Sequence, residues 1–392
     1  MTMTEQSEIR VLAREFAEGE IRPGSAGWDE RRELDNEVIR KVAEIGFLGM
    51  LVPERYQGLG LDLVTYMMAV EELAWGDASM ALTVAIQNGP VAGAILRRGT
   101  EKQRERWLPR LATGEVIGAF ALSEPEAGSD ASAIRTRAVR EAEGWSISGT
   151  KRWVTNGDRA GLILVLARTE ETDGADGIGA FLVERESKGY TVEKRERTLG
   201  LRASETVQVR LEDVRVPPDA VLGDPERGFR YAMESLVVGR VGIAAQALGI
   251  GQAAFEHATR YAIEREQFGA SIADFGAIRE KLAGMAARIC AARALTHEAA
   301  RAVESERESA GSGAFPSANA LSAMAKLTAS EAAMWVSDEA VQIFGGYGYM
   351  RDYPVEKLMR DAKGPEIYEG TNEIMRHLIA REVIRDVRRA VD

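Results

Sequence analysis

Cysteine and histidine are nearly missing from this chain of 392 residues. The single cysteine, Cys290, excludes an intrachain disulfide framework and a cysteine-rich metal site. Of the three histidines, His257, His297 and His377, no two stand at the spacing that puts a ligand pair on one helix turn. Basic residues are also in deficit, 50 against 61 acidic ones, for a net charge of −11. Without a Lys/Arg block, that balance argues against a nucleic-acid or anionic-membrane surface. Met1 to Arg10 carries Glu5 and Glu8 and no apolar run, unlike a secretory signal or an Arg-rich transit sequence. The expectation is a protein of a reducing, cytoplasmic compartment with no metal, no nucleic-acid partner and no integral membrane segment.

What is present reads as a folded chain long enough for two or three domains. Prolines are few, and none lies between Pro225 and Pro316. That stretch spaces Leu236, Ile243, Ala247, Ile250, Ala254, Ala258 and Tyr261 at three- and four-residue steps, the amphipathic-helix signal. It resumes through Ile278, Leu282, Met285 and Ile289, and a further helix is expected over Ser317 to Phe344. Arg301 to Gly313 turns from charged to Gly/Ser-rich, suiting an exposed helix end and a loop. Helical spacing also marks Glu33 to Gly46, Leu63 to Trp75, Ala81 to Arg98 and Thr100 to Leu111. Between them, Trp145 to Ser148, Leu162 to Leu166, Ile178 to Val183 and Thr206 to Leu211 are short, β-branched or alternating. Helices, strands and helices again make an α+β chain with segregated elements. Gly249 to Ala254 formally fits G-x-G-x-x-A, but no strand precedes it, so it reads as close helix packing.

Four stretches carry candidate chemistry. Phe120 to Asp130 (FALSEPEAGSD) leads a strand-like run into a loop offering hydroxyls and backbone N–H groups. Lys151 to Gly157 (KRWVTNG) sets Trp153 and Thr155 on one strand face, suiting a flat heterocycle with a polar edge. Arg265 to Gly269 (REQFG) ends the long helix. Gln342 to Tyr349 (QIFGGYGY) is followed by Pro354 to Lys363 and by Glu366 to Arg376 (EIYEGTNEIMR). Singly, each has a plainer reading: Ser129 and Asp130 close a turn, Trp153 is core, Gly345 and Gly346 end a helix. Glu369 could simply complement the dipole of the helix starting near Thr371. Its apolar setting beside Ile367, Tyr368 and Gly370 also suits a general base, whose pKa burial raises and the helix end lowers.

In that order the four stretches resemble the acyl-CoA dehydrogenase flavoprotein family, nearest its short- and branched-chain members, from Glu33 to Arg381. The resemblance implies an N-terminal helical domain (1–116), a central β-barrel-like domain (117–224) and a C-terminal four-helix bundle (225–392). It implies a homotetramer with one FAD per subunit, an acyl-CoA substrate and an electron-transfer flavoprotein as acceptor. Glu369 is then the base that takes the proton next to the thioester while flavin N5 accepts hydride, leaving a trans-2-enoyl-CoA. Phe120, Leu122, Ser123 and Ser129 would lie over the flavin and thioester, with Trp153 and Thr155 at the flavin's face and edge. Arg265, Gln267 and Phe268, with Gln342, Gly345 and Gly346, would hold the pyrophosphate and adenosine across a subunit boundary, and Thr371 and Glu373 would complete the FAD contacts. Arg240, Tyr368, Gly370 and Ser129 would border the substrate. Some relatives carry the base just before that arginine; here the position is Gly239. Glu126 and Gly276 depart from the family's usual Gly and Gln. The competing expectations are a flavin oxidase on the same fold and a non-catalytic CoA-binding scaffold.

Overall fold

The computed structural model describes residues 2–169, 174–308 and 316–391. Its N-terminal part is helical: α1 (Met3–Phe16), α2 (Arg22–Arg31), α3 (Asn36–Glu44), α4 (Leu63–Gly76), α5 (Ala78–Ile86), α6 (Gly93–Arg98) and α7 (Glu101–Ala112). Helices α1 and α2 precede the first helix expected from spacing. They escape that reading because α1 buries little beyond Ala13 and is fixed locally, by a capping box in which Thr2 and Glu5 exchange hydrogen bonds. The helix expected over Ala81 to Arg98 is α5 and α6 joined by a π-helical stretch, Gln87–Ala92, that contains Pro90. A wider turn absorbs a residue that has no N–H to donate.

A curled seven-stranded sheet follows: β1 (Gly118–Ala121), β2 (Arg137–Glu141), β3 (Gly144–Thr155), β4 (Leu162–Arg168), β5 (Ile178–Glu184), β6 (Tyr190–Arg195) and β7 (Thr206–Val216). The order is β1-β4-β2-β3-β7-β6, with β5 on β4. Strands β4 and β5 are buried on both faces and stand out as apolar runs. Strands β2 and β6 are mostly exposed and carried no such signal.

The C-terminal part is α8 (Gly228–Glu264), α9 (Gly276–Glu308), α10 (Ala318–Phe344), α11 (Pro354–Ala362) and α12 (Asn372–Val391), with a two-residue-strand hairpin, β8 (Glu266–Gln267) and β9 (Ala270–Ser271), between α8 and α9. The charged end expected after Arg301 continues α9 to Glu308; the Gly/Ser-rich loop expected beyond it lies outside the described residues. Helix α8 is buried without interruption from Val238 to Gly251 and packs against α4, α9 and α10. At Gly249 a Cβ would come within 2.2 Å of the Glu71 carbonyl, so the glycine pattern there serves helix contact. Two runs, Ala78–Arg98 and Gly228–Glu264, are long and apolar enough to cross a membrane, and most of each is buried in the protein.

One buried ion cluster ties the three parts together. Lys357 Nζ on α11 bonds Asp77 at 2.9 Å and Asp361 at 2.7 Å. Asp77 also caps α5 by accepting from the Ser79 and Met80 N–H groups, and Asp361 accepts from the Leu201 N–H in the β part. Burial opposes the ammonium charge, but Asp361 and Asp77 outweigh it and hold the lysine pKa above its ordinary value. Removing the cation leaves two buried carboxylates facing each other. Lys357→Met should therefore lower unfolding free energy by about 3 to 5 kcal/mol, measured by denaturant titration; an unchanged midpoint would show that the cluster does not stabilise the fold.

Candidate active site

The chain before α12 turns sharply at two residues with positive φ, Glu369 at 52° and Gly370 at 93°. A non-glycine residue in this region is strained and persists only where its surroundings hold it. The hold comes from α10. Lys326 Nζ donates to the Gly370 carbonyl at 2.8 Å and to Asn372 Oδ1 at 2.9 Å, and Asn372 bonds Ser330 in turn. The turn points the Glu369 side chain at α8, where a Cβ on Gly239 would come within 2.2 Å of Oε2. Gly89 of the π-helical stretch packs on the same part of α8, since its Cβ would stand 3.3 Å from Gly239 Cα. The turn and the bare α8 backbone thus meet at the carboxylate.

Both Glu369 oxygens are buried and lack a hydrogen-bond partner among the described residues. Burial pushes the carboxyl pKa up to about 7, while the Arg240 and Lys326 charges pull it down. Arg240, itself buried, donates to Asn319 Oδ1 at 2.8 Å, and its Nε has no partner among the described residues. Burial also lowers Lys326, to about 8. Tyr368 turns the other way and donates to Gln246 Oε1 at 2.7 Å, and Gln246 donates to the Ala78 carbonyl at 2.7 Å. A buried proton acceptor half-ionised near neutrality, with two cations close by but not paired to it, is what this arrangement provides.

The other residues singled out in the sequence fall into two further places. On the sheet, β3 carries a register shift before Val154 and Trp153 has φ 57°, so the ring is turned outward and is 50% exposed. The loop after β1 lies alongside: the Ser123 carbonyl accepts from Arg152 N–H at 2.8 Å, and a Cβ on Gly128 would stand 3.9 Å from the Trp153 ring. Phe120, Ser123 and Thr155 are half-buried, Leu122 is buried and Ser129 is exposed. Beneath them Glu124 accepts from Lys151 Nζ at 2.7 Å and from the Arg135 and Thr136 N–H groups, pinning the loop to β3. Glu126 is an exposed residue paired with Arg135, and a Cβ on Gly276 would meet nothing, so neither departure disturbs the fold.

The third place is the far end of α8. Arg265, Gln267, Gly345 and Gly346 line a cleft of about 450 Å³ with Tyr261 and Tyr347. Phe268 beside it is 97% exposed. Gln342 is on the last turn of α10, with its carbonyl accepting from the Gly345 N–H, and does not line the cleft. From Gly239 to Glu264 the helix spans about 38 Å at 1.5 Å per residue, so this cleft and Glu369 are far apart within one chain. Thr371 caps α12 by accepting from the Ile374 N–H at 3.3 Å, and Glu373 is exposed. Among the described residues no cluster of His, Cys, Asp and Glu could hold a metal ion.

Sequence reasoning missed Lys326, Gln246 and the Glu124–Lys151 pair. A signal existed for the first two: Gln246 is a lone polar residue in an apolar run of α8, and Lys326 is the single charge between Ala318 and Ser330 on α10.

The chain matches family descriptions along its length: "Acyl-CoA dehydrogenase, N-terminal domain" over residues 3–115, "middle domain" over 119–214 and "C-terminal domain" over 226–384. It is 42% identical over 380 residues to the mitochondrial short-chain specific acyl-CoA dehydrogenase of Bos taurus, covering 97% of this chain and 90% of that one. It superposes with a TM-score of 0.93 and 39% identity on butyryl-CoA dehydrogenase from Megasphaera elsdenii, covering 98% and 99% of the two chains. A TM-score of 0.94 and 41% identity relate it, over 98% and 99%, to a chain of a structure described as the electron transferring flavoprotein of Acidaminococcus fermentans.

The orphaned carboxylate has a thermodynamic signature. Its folded pKa, about 7, exceeds the ordinary 4.5, so its contribution to stability is fully present below 4.5 and is lost as pH rises through 7. Glu369→Gln should match the wild type in stability near the acid end and exceed it increasingly between pH 5 and 8, by on the order of 3 kcal/mol once ionisation is complete. Denaturant titrations across that range check this, and a gain independent of pH would contradict it.

Proposed function

We propose, for a chain that belongs to the acyl-CoA dehydrogenase family over nearly its whole length, the α,β-dehydrogenation of a short-chain acyl-CoA with Glu369 as the base. The protein is an acyl-CoA dehydrogenase, a flavin-dependent enzyme. The observation that carries the role of Glu369 is its buried, unpartnered carboxylate, held against the bare backbone of Gly239 by a strained turn.

The residues present fit FAD. Trp153 offers an aromatic face and Thr155 a hydroxyl at the β3 bulge, beside the loop of Ser123 and Ser129. Arg265 with the uncovered backbone of Gly345 and Gly346 suits a pyrophosphate, and guanidinium binds phosphate bidentately. Bound FAD supplies the hydride acceptor. Glu369 takes the proton from the carbon next to the thioester, and ionisation near neutrality matches that task. The developing charge on the thioester oxygen needs a donor, and among the described residues no internal acceptor meets the Glu369 N–H. Arg240 favours the ionised base, and Lys326 holds the turn through Gly370 and Asn372.

The same distances support an assembly. A cleft about 38 Å along α8 from Glu369 lies far from a flavin placed beside that residue. It supports a second copy of the chain as the recipient, hence a homo-oligomer of the homotetrameric kind. The likeness to the Acidaminococcus chain supports an electron-transferring flavoprotein as acceptor. The lone cysteine supports a reducing, cytoplasmic setting.

Anaerobic titration of the purified holoenzyme with acyl-CoAs of increasing length should bleach the oxidised flavin, with short chains most effective; a flavin that no acyl-CoA bleaches would refute the reading. Glu369→Gln should keep FAD and bind acyl-CoA while kcat falls about 10²- to 10⁴-fold. Arg265→Ala should lower the FAD retained per subunit after gel filtration, and full retention would remove Arg265 from the cofactor site.

A further inference from the structure

Tyr66 is fully buried on α4, and its hydroxyl has no hydrogen-bond partner among the described residues. An unsatisfied buried hydroxyl is costly and calls for an explanation. Its surroundings supply one. A Cβ on Gly242 would meet Tyr66 Oη at 2.7 Å and Ala85 Cβ at 3.5 Å, so the phenol tip rests on α8 at Gly242. Gly242 is three residues from Gly239, the position against which the Glu369 carboxylate rests. The two unpartnered polar groups therefore sit on one face of α8, separated by one step of about 4.5 Å along the axis. Glu369 is close enough to raise the phenol pKa further than burial alone does.

The direction of that step matters. Before Val238, α8 alternates between buried and partly exposed residues; from Val238 to Gly251 it is wholly buried. Partly exposed residues return after Gly251, so Gly239 and Gly242 lie near the N-terminal edge of the buried run, and a thioester entering across that nearer edge reaches Gly239 and Glu369 first and Gly242 next. The carbon that loses its proton must lie within hydrogen-bond reach of Glu369, so the rest of the acyl group extends inward, toward the phenol.

We propose that Tyr66 is a specificity-determining residue: its ring walls off the acyl compartment one step of α8 beyond the base and admits only short acyl groups. The inference rests on the assignment of Glu369 as the base. The hydroxyl stays unpaired because the space it faces is filled by an apolar acyl terminus. Chain length is then read by the bulk of the ring, because a pocket discriminates methylenes by the room it offers.

The test compares wild-type, Tyr66→Ala and Tyr66→Phe holoenzymes in kcat/KM for butyryl-, hexanoyl- and octanoyl-CoA. It also compares the Kd of S-butyl-CoA and S-octyl-CoA, thioethers that bind without reacting. Tyr66→Ala should shift both the octanoyl-to-butyryl ratio and the S-octyl-to-S-butyl affinity ratio toward the longer chain by at least about tenfold. Tyr66→Phe, with the ring intact, should keep the wild-type ratios. Unchanged ratios in a folded Tyr66→Ala protein would overturn the proposal, as would an equal shift in Tyr66→Phe. If Tyr66→Ala does not fold, Tyr66→Leu carries the same comparison. A wild type that binds the thioethers but oxidises no acyl-CoA would sink the dehydrogenation reading, while the affinity ratios still decide the role of Tyr66.

Discussion

A carboxylate with no partner, buried against a backbone with no side chain, is the constraint on which the rest of the site depends. Glu369 reaches that position only because its backbone adopts a left-handed conformation, at a cost of about 1 to 3 kcal/mol for a non-glycine residue. The glycine after it continues the turn, and Lys326 closes it from α10 through two hydrogen bonds. On the opposite side, α8 must present glycine at 239, or the carboxylate has no room, and glycine at 89 lets the π-helical stretch pack closely on that same part of α8. The widened helix around Pro90 is part of the same requirement, since it is the segment that brings Gly89 to Gly239.

The groups that shape this space also set its electrostatics. Burial alone would drive the carboxyl to its neutral form, and a neutral acid cannot accept a proton. Arg240 and Lys326 counter this without forming an ion pair with it, so the charge is moderated and not quenched. Direct pairing would have pulled the pKa well down and removed the basicity. Lys326 thus has two effects from one position: it fixes the turn through the Gly370 carbonyl and biases the ionisation of the residue before it.

How much of this was legible depended on whether the signal was local. Glu369, Gly370, Trp153 and Arg265 lie in compact stretches whose composition is unusual in itself, and Gly239 was visible as a missing side chain on a helix. The apolar strands β4 and β5 and the uninterrupted α8 were also readable, because burial on all sides leaves continuous apolar runs. What sequence spacing did not reveal was contact between distant segments. Tyr66 sits in a helix most of whose residues are buried, so nothing local separates it from ordinary core; only Gly242, 176 positions later, shows where its hydroxyl points. The bulge at Trp153 was hidden in the same way, for it follows from the register of β3 against β7. Exposed α1, β2 and β6 were missed for the opposite reason, too little burial to leave a pattern.

The geometry of α8 gives the site its further logic. One helix touches Glu369 at Gly239 and ends at the Arg265 cleft, and it runs unbroken over about 38 Å. A rigid element that contributes to two such distant places links them, in the proposed homo-oligomer, through a neighbouring copy. On the proposed assembly, each FAD is clasped by the sheet of one subunit and the cleft of another, so every bound cofactor is also an intersubunit contact. Cofactor binding then stabilises the assembly by mass action, and assembly in turn completes the cofactor site. The exposed Phe268 and Tyr349 around the cleft, out of place on a free surface, are accounted for by the same arrangement. Base and cleft are therefore two ends of one mechanical part, and the smooth, glycine- and alanine-rich face of α8 lets it pack closely enough to hold both in register.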